Sequence, residues 1–230
     1  MAWLNSFIFS RQGAFLISGI ATTAAAYLIY KAFFKKESAL PDEELDEYFE
    51  KTSPLKSEDL PKRRILVVGL DGSGKTQFVN CLSRGRQSNI TSPPKPTQGF
   101  HVKSICLSST NFDIWDLGGA PHFRAYWKEF VKNLDVIVYV VDSANRYRMQ
   151  EAKDTLDTFL KEECTQDIPL LIIANKQDVD GSLSGDQVLA GLGIDSAFKA
   201  TRKVKCVEVQ IPLYGDRKGM WEAYKQMSSL

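Results

Sequence analysis

Gly69-Leu-Asp-Gly-Ser-Gly-Lys-Thr76 places three glycines, a lysine and a hydroxyl side chain at the spacing a polyphosphate requires. Gly69, Gly72 and Gly74 let backbone N–H groups wrap the α- and β-phosphates without Cβ clashes, while Asp71 and Ser73 complete the loop. Lys75 reaches toward the β/γ-phosphates, and Thr76 offers a hydroxyl to Mg²⁺, a hard cation that prefers oxygen. Gln77 closes the nucleotide-binding run. Three further groups extend this chemistry. Asp116-Leu-Gly-Gly119 offers a carboxylate that holds Mg²⁺ through water and a Gly119 N–H for a γ-phosphate. Pro96-Thr-Gln-Gly-Phe100 supplies Thr97, whose hydroxyl completes the metal shell only when a γ-phosphate is present. In Asn175-Lys-Gln-Asp178, the Asp178 carboxylate accepts from guanine N1–H and N2–H₂, a donor pair adenine lacks. Asn175 either holds O6/N7 or braces the loop, and the stem of Lys176 covers the ring. Guanine is therefore favoured over adenine.

Such groups must be carried on strands and helix starts. The apolar run Arg64-Ile-Leu-Val-Val68 before the glycine loop and the helix-like Gln77–Ser83 after it give strand, loop, helix. That helix start adds a dipole favourable to anions. Further strands are expected at Val102–Leu107, Phe112–Asp116, Val136–Val141, Leu170–Ala174 and Val204–Val209. Met149, Ala152, Leu156, Phe159 and Leu160 recur at helical spacing, as do Met220, Trp221, Tyr224 and Met227. The alternation predicts an α/β domain, a mostly parallel sheet with helices on both faces, with ligands beyond the carboxyl ends of the strands.

The rest of the chain is uneven in charge. Across 230 residues the formal net charge is +1, which gives no sign of a nucleic-acid binder. Residues 1–36 carry Arg11, Lys31, Lys35 and Lys36 and no acid, whereas 37–61 are acidic around Asp42-Glu-Glu-Leu-Asp-Glu47. Residues 13–30 hold no charge, and as a helix they extend roughly 27 Å, close to a bilayer's hydrocarbon thickness. Tyr27 and Tyr30 at one edge, followed by the lysines, predict a single-pass anchor with its carboxyl side in the cytosol. A signal peptide ending near Ala24-Ala-Ala26, a mitochondrial presequence and an interfacial helix are the competing readings. The division expected is a flank over 1–12, a transmembrane anchor over 13–30, a basic then acidic linker over 31–61, and a nucleotide-binding domain over 62–230. The moderate hydrophobicity and trailing lysines suit the mitochondrial outer membrane, with the endoplasmic reticulum as rival. Cys81, Cys106, Cys164 and Cys206 lack metal or disulfide spacing and read as buried free thiols.

Gly69-Leu-Asp71, Pro-Thr-x-Gly-Phe, Trp115-Asp116-x-Gly-Gly and Asn-Lys-Gln-Asp together resemble the Arf and Arf-like GTPases of the Ras superfamily. The segment Phe100 to Trp115 also matches their length, and the resemblance covers roughly residues 62–230. It implies a P-loop NTPase domain of the small G-protein type with six strands, GTP/GDP and Mg²⁺ binding, and a switch that recruits effectors. An exchange factor and an activating protein come with that implication. Phe100, Trp115 and Phe130 match the aromatic patch such proteins show to partners, the alternative being plain packing around the sheet. Three departures stand out. Ala120 occupies the place of the water-orienting glutamine, so hydrolysis should be slow and no catalytic residue is assigned; His122 is a weak substitute. Gln210-Ile211-Pro212 replaces the family's base-contacting run, and Ile211 is expected to weaken guanine binding or shift it to the backbone. Met1-Ala2 closes the N-myristoylation route, which the anchor would replace. The layout also resembles the beta subunit of the signal recognition particle receptor, a GTP-loaded, non-catalytic module. A P-loop kinase or ATPase fits less well because of Asp178.

Overall fold

In the computed structural model, residues 60–84, 94–107, 110–212 and 216–230 are described. The predicted anchor over 13–30 and most of the linker lie outside them; among the described residues no helix is long and apolar enough to cross a membrane.

Six strands form one sheet: β1 (Lys62–Val68), β2 (Phe100–Leu107), β3 (Thr110–Leu117), β4 (Val136–Asp142), β5 (Leu170–Asn175) and β6 (Val204–Glu208). Their order is β2-β3-β1-β4-β5-β6. All neighbours pair in parallel except β2 with β3, which are antiparallel. The expected strands are all present, most of them a residue or more longer than their apolar runs, because the ladder continues where side chains turn polar.

Side-chain alternation divides the core into two layers. Ile65, Val67, Val136, Val138 and Val140 face one side, where α1 (Lys75–Arg84) contributes Phe78, Val79 and Leu82 and α6 (Met220–Ser229) contributes Met220, Ala223, Tyr224 and Met227. Leu66, Val68, Ile137, Tyr139 and Val141 face the other. There α3 (Met149–Leu160) packs Ala152, Leu156 and Phe159, and α4 (Gly185–Gly191) packs Val188 and Leu189. Two short helices, α2 (Pro121–Arg124) and α5 (Ser196–Thr201), and a 3₁₀ turn over Trp127–Phe130 complete the elements used below. The central strands are buried on both faces, which is why they read as continuous Val/Ile/Leu runs.

This topology brings the motifs together. The carboxyl ends of β1, β3, β4 and β5 lie along one sheet edge. Because β2 runs antiparallel, with Phe100 opposite Leu117, the residues preceding it reach that same edge. Thr97 thereby joins Lys75, Asp116 and Asn175 despite its place in sequence. β1 lies between β3 and β4, so the crevice opens at the point where strand order reverses.

The cysteine expectation needs correction. All four are free, but Cys106 and Cys164 are exposed, Cys206 is half-buried, and only Cys81 is buried. Cys106 sits on the outer strand β2, where alternate residues turn to solvent.

Candidate nucleotide site

A cleft of about 690 Å³ opens at the carboxyl edge. Asp71, Gly72, Gly74, Lys75, Thr76 and Gln77 line it with Thr97, Gly119 and Ala120; Asn175, Lys176 and Asp178 close its far end. Ser73 is buried beneath the loop, and Gly69 lies where β1 ends.

The loop conformation is one that glycine permits. Gly69 has φ +143°, and a Cβ there would collide with the Val140 carbonyl oxygen. Gly74 has φ +94°, and its Cβ would run into the amide of Asn175. The close approach has a purpose: Asn175 Nδ2 donates to the Ser73 carbonyl at 2.8 Å. Of the two roles open to Asn175, the structure shows the bracing one.

Lys75 is 6% exposed and donates from Nζ to the carbonyls of Gly69 (3.0 Å) and Leu70 (2.8 Å). Burial lowers its pKa to about 8, an effect softened by the nearby carboxylates of Asp116 and Asp71. Thr76 Oγ1 donates to Asp116 Oδ2 at 2.7 Å and lies 2.9 Å from Thr97 Oγ1. Burial raises the pKa of Asp116, against the Thr76 hydrogen bond and the Lys75 charge. Asp116 Oδ1 is buried with no partner among the described residues. Two hydroxyls and a carboxylate with an orphaned buried oxygen form an all-oxygen donor set, which suits Mg²⁺.

The Gly118–Gly119 turn is pinned to both flanking loops. Gly118 N–H donates to Gly99 O at 2.8 Å, and Trp127 Nε1 donates to Gly118 O at 3.0 Å. Gly119 O accepts from Asp71 N–H (3.2 Å) and from Arg124 Nε (2.8 Å). A Cβ on Gly118 would stand 2.7 Å from Thr97 O, so a side chain there would push the Thr97 loop away from the Gly118–Gly119 turn. Ala120 begins α2 and contributes only a methyl group to the cleft. His122 is exposed, its ring tilted 45° against that of Phe123 at 4.2 Å, and lies outside the residues lining the cleft.

A charged cluster flanks the loop, and the motifs gave no hint of it. Arg148 Nη2 donates to Asp71 Oδ1 at 2.8 Å and its Nε to Glu151 Oε2 at 2.7 Å. Arg124 Nη2 donates to Glu151 Oε1 at 2.8 Å and to Asp71 Oδ1 at 3.3 Å. Hydrogen bonds from Arg148 and Arg124 lower the Glu151 pKa to about 2, and that from Arg148 lowers Asp71. Arg148 and Glu151 stand three apart at the start of α3, the one local signal of the pair.

At the base end Lys176 adopts φ +68°, and its Nζ donates to Asp142 Oδ2 at 2.6 Å. Asp178 is exposed at the cleft mouth. Gln77 Nε2 donates to Ile211 O at 2.8 Å, tying α1 to the loop after β6. Ile211 is largely buried and belongs to the core cluster that holds Met220, yet with Pro212 it also lines the cleft.

The aromatic patch both packs and faces solvent. Phe100 lies 5.6 Å from Trp115 and 5.0 Å from Phe130, and Trp115 and Phe130 are 5.7 Å apart. Phe100 remains 48% exposed.

A model of the ADP-ribosylation factor family matches residues 50–229. ADP-ribosylation factor-like protein 3 of Chlamydomonas reinhardtii is 41% identical over 133 residues, covering 58% of this chain and 73% of that protein. ADP-ribosylation factor-like protein 1 of Caenorhabditis elegans is 39% identical over 141 residues, covering 61% and 76%. Among solved structures, the Arl6 BBS3 small GTPase from Trypanosoma brucei with bound nucleotide analogue GppNp shares the fold, with a TM-score of 0.64. That match has 24% identity and covers 73% of this chain and 96% of that one. With its glycine loop, switch loops and guanine motif at one sheet edge, the chain belongs to the ADP-ribosylation factor family, as an Arf-like small GTPase.

Proposed function

We propose that this protein is a membrane-anchored GTP/GDP switch that recruits effectors while GTP-bound and hydrolyses GTP slowly on its own. The observation that carries this reading is the convergence of Thr76, Thr97 and Asp116 within hydrogen-bonding distance. Thr97 thereby stands beside Thr76 and Asp116, where its hydroxyl would complete the shell of a metal bound with a triphosphate. Thr76, Thr97 and Asp116 would hold Mg²⁺, which when bound neutralises phosphate charge. Lys75 neutralises the β/γ-phosphates, loop N–H groups receive their oxygens, Gly119 N–H meets the γ-phosphate, and Asp178 selects guanine. The Phe100–Trp115–Phe130 cluster supplies a partner surface beside both switch loops.

Slow turnover follows from Ala120, whose methyl group has no atom to orient a water. Ala120 also favours a second reading: a constitutively GTP-loaded scaffold subunit, like the beta subunit of the signal recognition particle receptor. Residues 13–30 supply the anchor in either case, placing the domain on the cytosolic face of the mitochondrial outer membrane or the endoplasmic reticulum. An exchange factor and an activating protein belong to the switch reading.

Single-turnover hydrolysis by the 230-residue chain in detergent micelles tests the reading, with Ala120→Gln alongside. The variant is expected to hydrolyse bound GTP at least about tenfold faster, given a side chain that can orient the attacking water. A wild-type rate equal to that of Ala120→Gln would remove the argument from Ala120.

A further inference from the structure

Three of the four backbone polar groups in the Gly118–Gly119 turn are held: Gly118 N–H by Gly99 O, Gly118 O by Trp127, and Gly119 O by Asp71 N–H and Arg124 Nε. The fourth, the Gly119 N–H, has no partner among the described residues, and Gly119 lines the cleft. The Gly119 N–H shares its rigid peptide plane with the Gly118 carbonyl, which Trp127 holds; fixing the Gly119 carbonyl in the next plane restricts the two remaining rotations at Gly119.

Arg124 fixes that carbonyl with one nitrogen and uses the others elsewhere. Its Nη2 reaches Glu151 Oε1 at 2.8 Å and Asp71 Oδ1 at 3.3 Å, and its Nη1 reaches Thr155 Oγ1 at 3.2 Å. Arg148 closes the same cluster, bonding the Asp71 carbonyl at 3.0 Å and both carboxylates. Two guanidiniums and two carboxylates balance in charge. They join the phosphate loop, the second switch loop and α3 into one unit. A planar fork with five donors can span such a set; a lysine ammonium cannot.

We propose that Arg124 is a positioning residue that sets the preference for triphosphate over diphosphate. It does so by pinning the Gly119 carbonyl to the phosphate loop, so that the Gly119 N–H meets a γ-phosphate. This rests on the guanine-nucleotide switch proposed above. A diphosphate does not extend to Gly119, so loss of the pin falls selectively on the triphosphate. Arg124 touches neither nucleotide; it acts through Gly119.

The test is a fluorescence titration of the 230-residue chain in detergent micelles with Mg²⁺, using labelled GDP and a labelled non-hydrolysable GTP analogue. Wild type, Arg124→Gln, Arg124→Lys and Glu151→Gln are compared. Arg124→Gln is expected to reduce the triphosphate-to-diphosphate affinity ratio about tenfold, the scale of a lost hydrogen bond from a charged donor. Arg124→Lys restores the charge without the fork and recovers less than half of that loss on a logarithmic scale. Glu151→Gln shifts the ratio in the same direction by about threefold, and the double variant adds little to Arg124→Gln because the residues act as a unit. An unchanged ratio in Arg124→Gln overturns the proposal. Equal weakening of both nucleotides in Arg124→Gln and Arg124→Lys overturns it too, since it would mark Arg124 as a support for the fold alone. If wild type bound neither nucleotide, the switch reading itself would fail before Arg124 was at issue.

Discussion

The two ends of the cleft are built differently. At the phosphate end Lys75 is buried against two carbonyls, Thr76 holds Asp116, and the Gly118–Gly119 turn is bonded on three sides. At the base end Asp178 stands exposed, and Lys176 is engaged with Asp142 along the wall of the cleft. Geometry set before binding avoids ordering costs, so on the function proposed above the phosphate end contributes affinity with little reorganisation. On the same reading, the base end contributes selectivity through one solvated carboxylate, whose hydrogen bonds must displace water. Affinity and selectivity are thus separated in space, and each can be altered alone.

The sharpest way to break this division is Lys75→Met. Nucleotide affinity is expected to fall at least about a hundredfold, because phosphate oxygens lose a charged donor in a desolvated loop. The same residue carries a pH signature in the nucleotide-free chain. Its folded pKa near 8 lies below the ordinary 10.5, so the unfolded chain binds more protons between those values. Stability should therefore rise with pH from about 8 to 10.5, by roughly 3 kcal/mol, and Lys75→Met should flatten that rise. Urea denaturation at several pH values measures it; equal slopes in both proteins would show that the lysine is not strained by burial. Next in size is Asp178→Asn, expected to cost GTP about 2 kcal/mol while leaving inorganic triphosphate binding unaltered. Loss of both ligands together would erase the division between the ends. The smallest effect belongs to Gln77→Ala, which removes the hydrogen bond to the Ile211 carbonyl. It should weaken GDP and GTP equally by about 1 kcal/mol, and calorimetry showing a triphosphate-specific loss would move Gln77 to the phosphate end.

Much of this site could be read from the chain, because its central parts are contiguous. A strand, a glycine loop and a helix start are local, so Gly69–Thr76 announced its conformation. The strands were legible because β4 and β5 are buried on both faces and admit little but β-branched and aliphatic residues. What escaped notice depends on pairs far apart in sequence. Arg148 meets Asp71 across 77 residues and Gln77 meets Ile211 across 134, and no spacing rule reaches so far. Trp127 belongs to no motif, yet its indole N–H holds the Gly118 carbonyl. Ile211, expected to disturb the base site, packs into the core and lines the cleft at once. The exposed thiol of Cys106 likewise shows that strand-like surroundings do not specify which face a residue takes.

Asn175 belongs by sequence to the base end, yet its amide is wedged beneath the phosphate loop at Ser73, under a glycine that leaves it room. In mechanical terms it is a lever with one arm at each end of the cleft. A protein that prises the guanine loop outward would draw support from under the phosphates in the same motion. Release of the whole nucleotide could then be driven from either side, by a partner that grips only one.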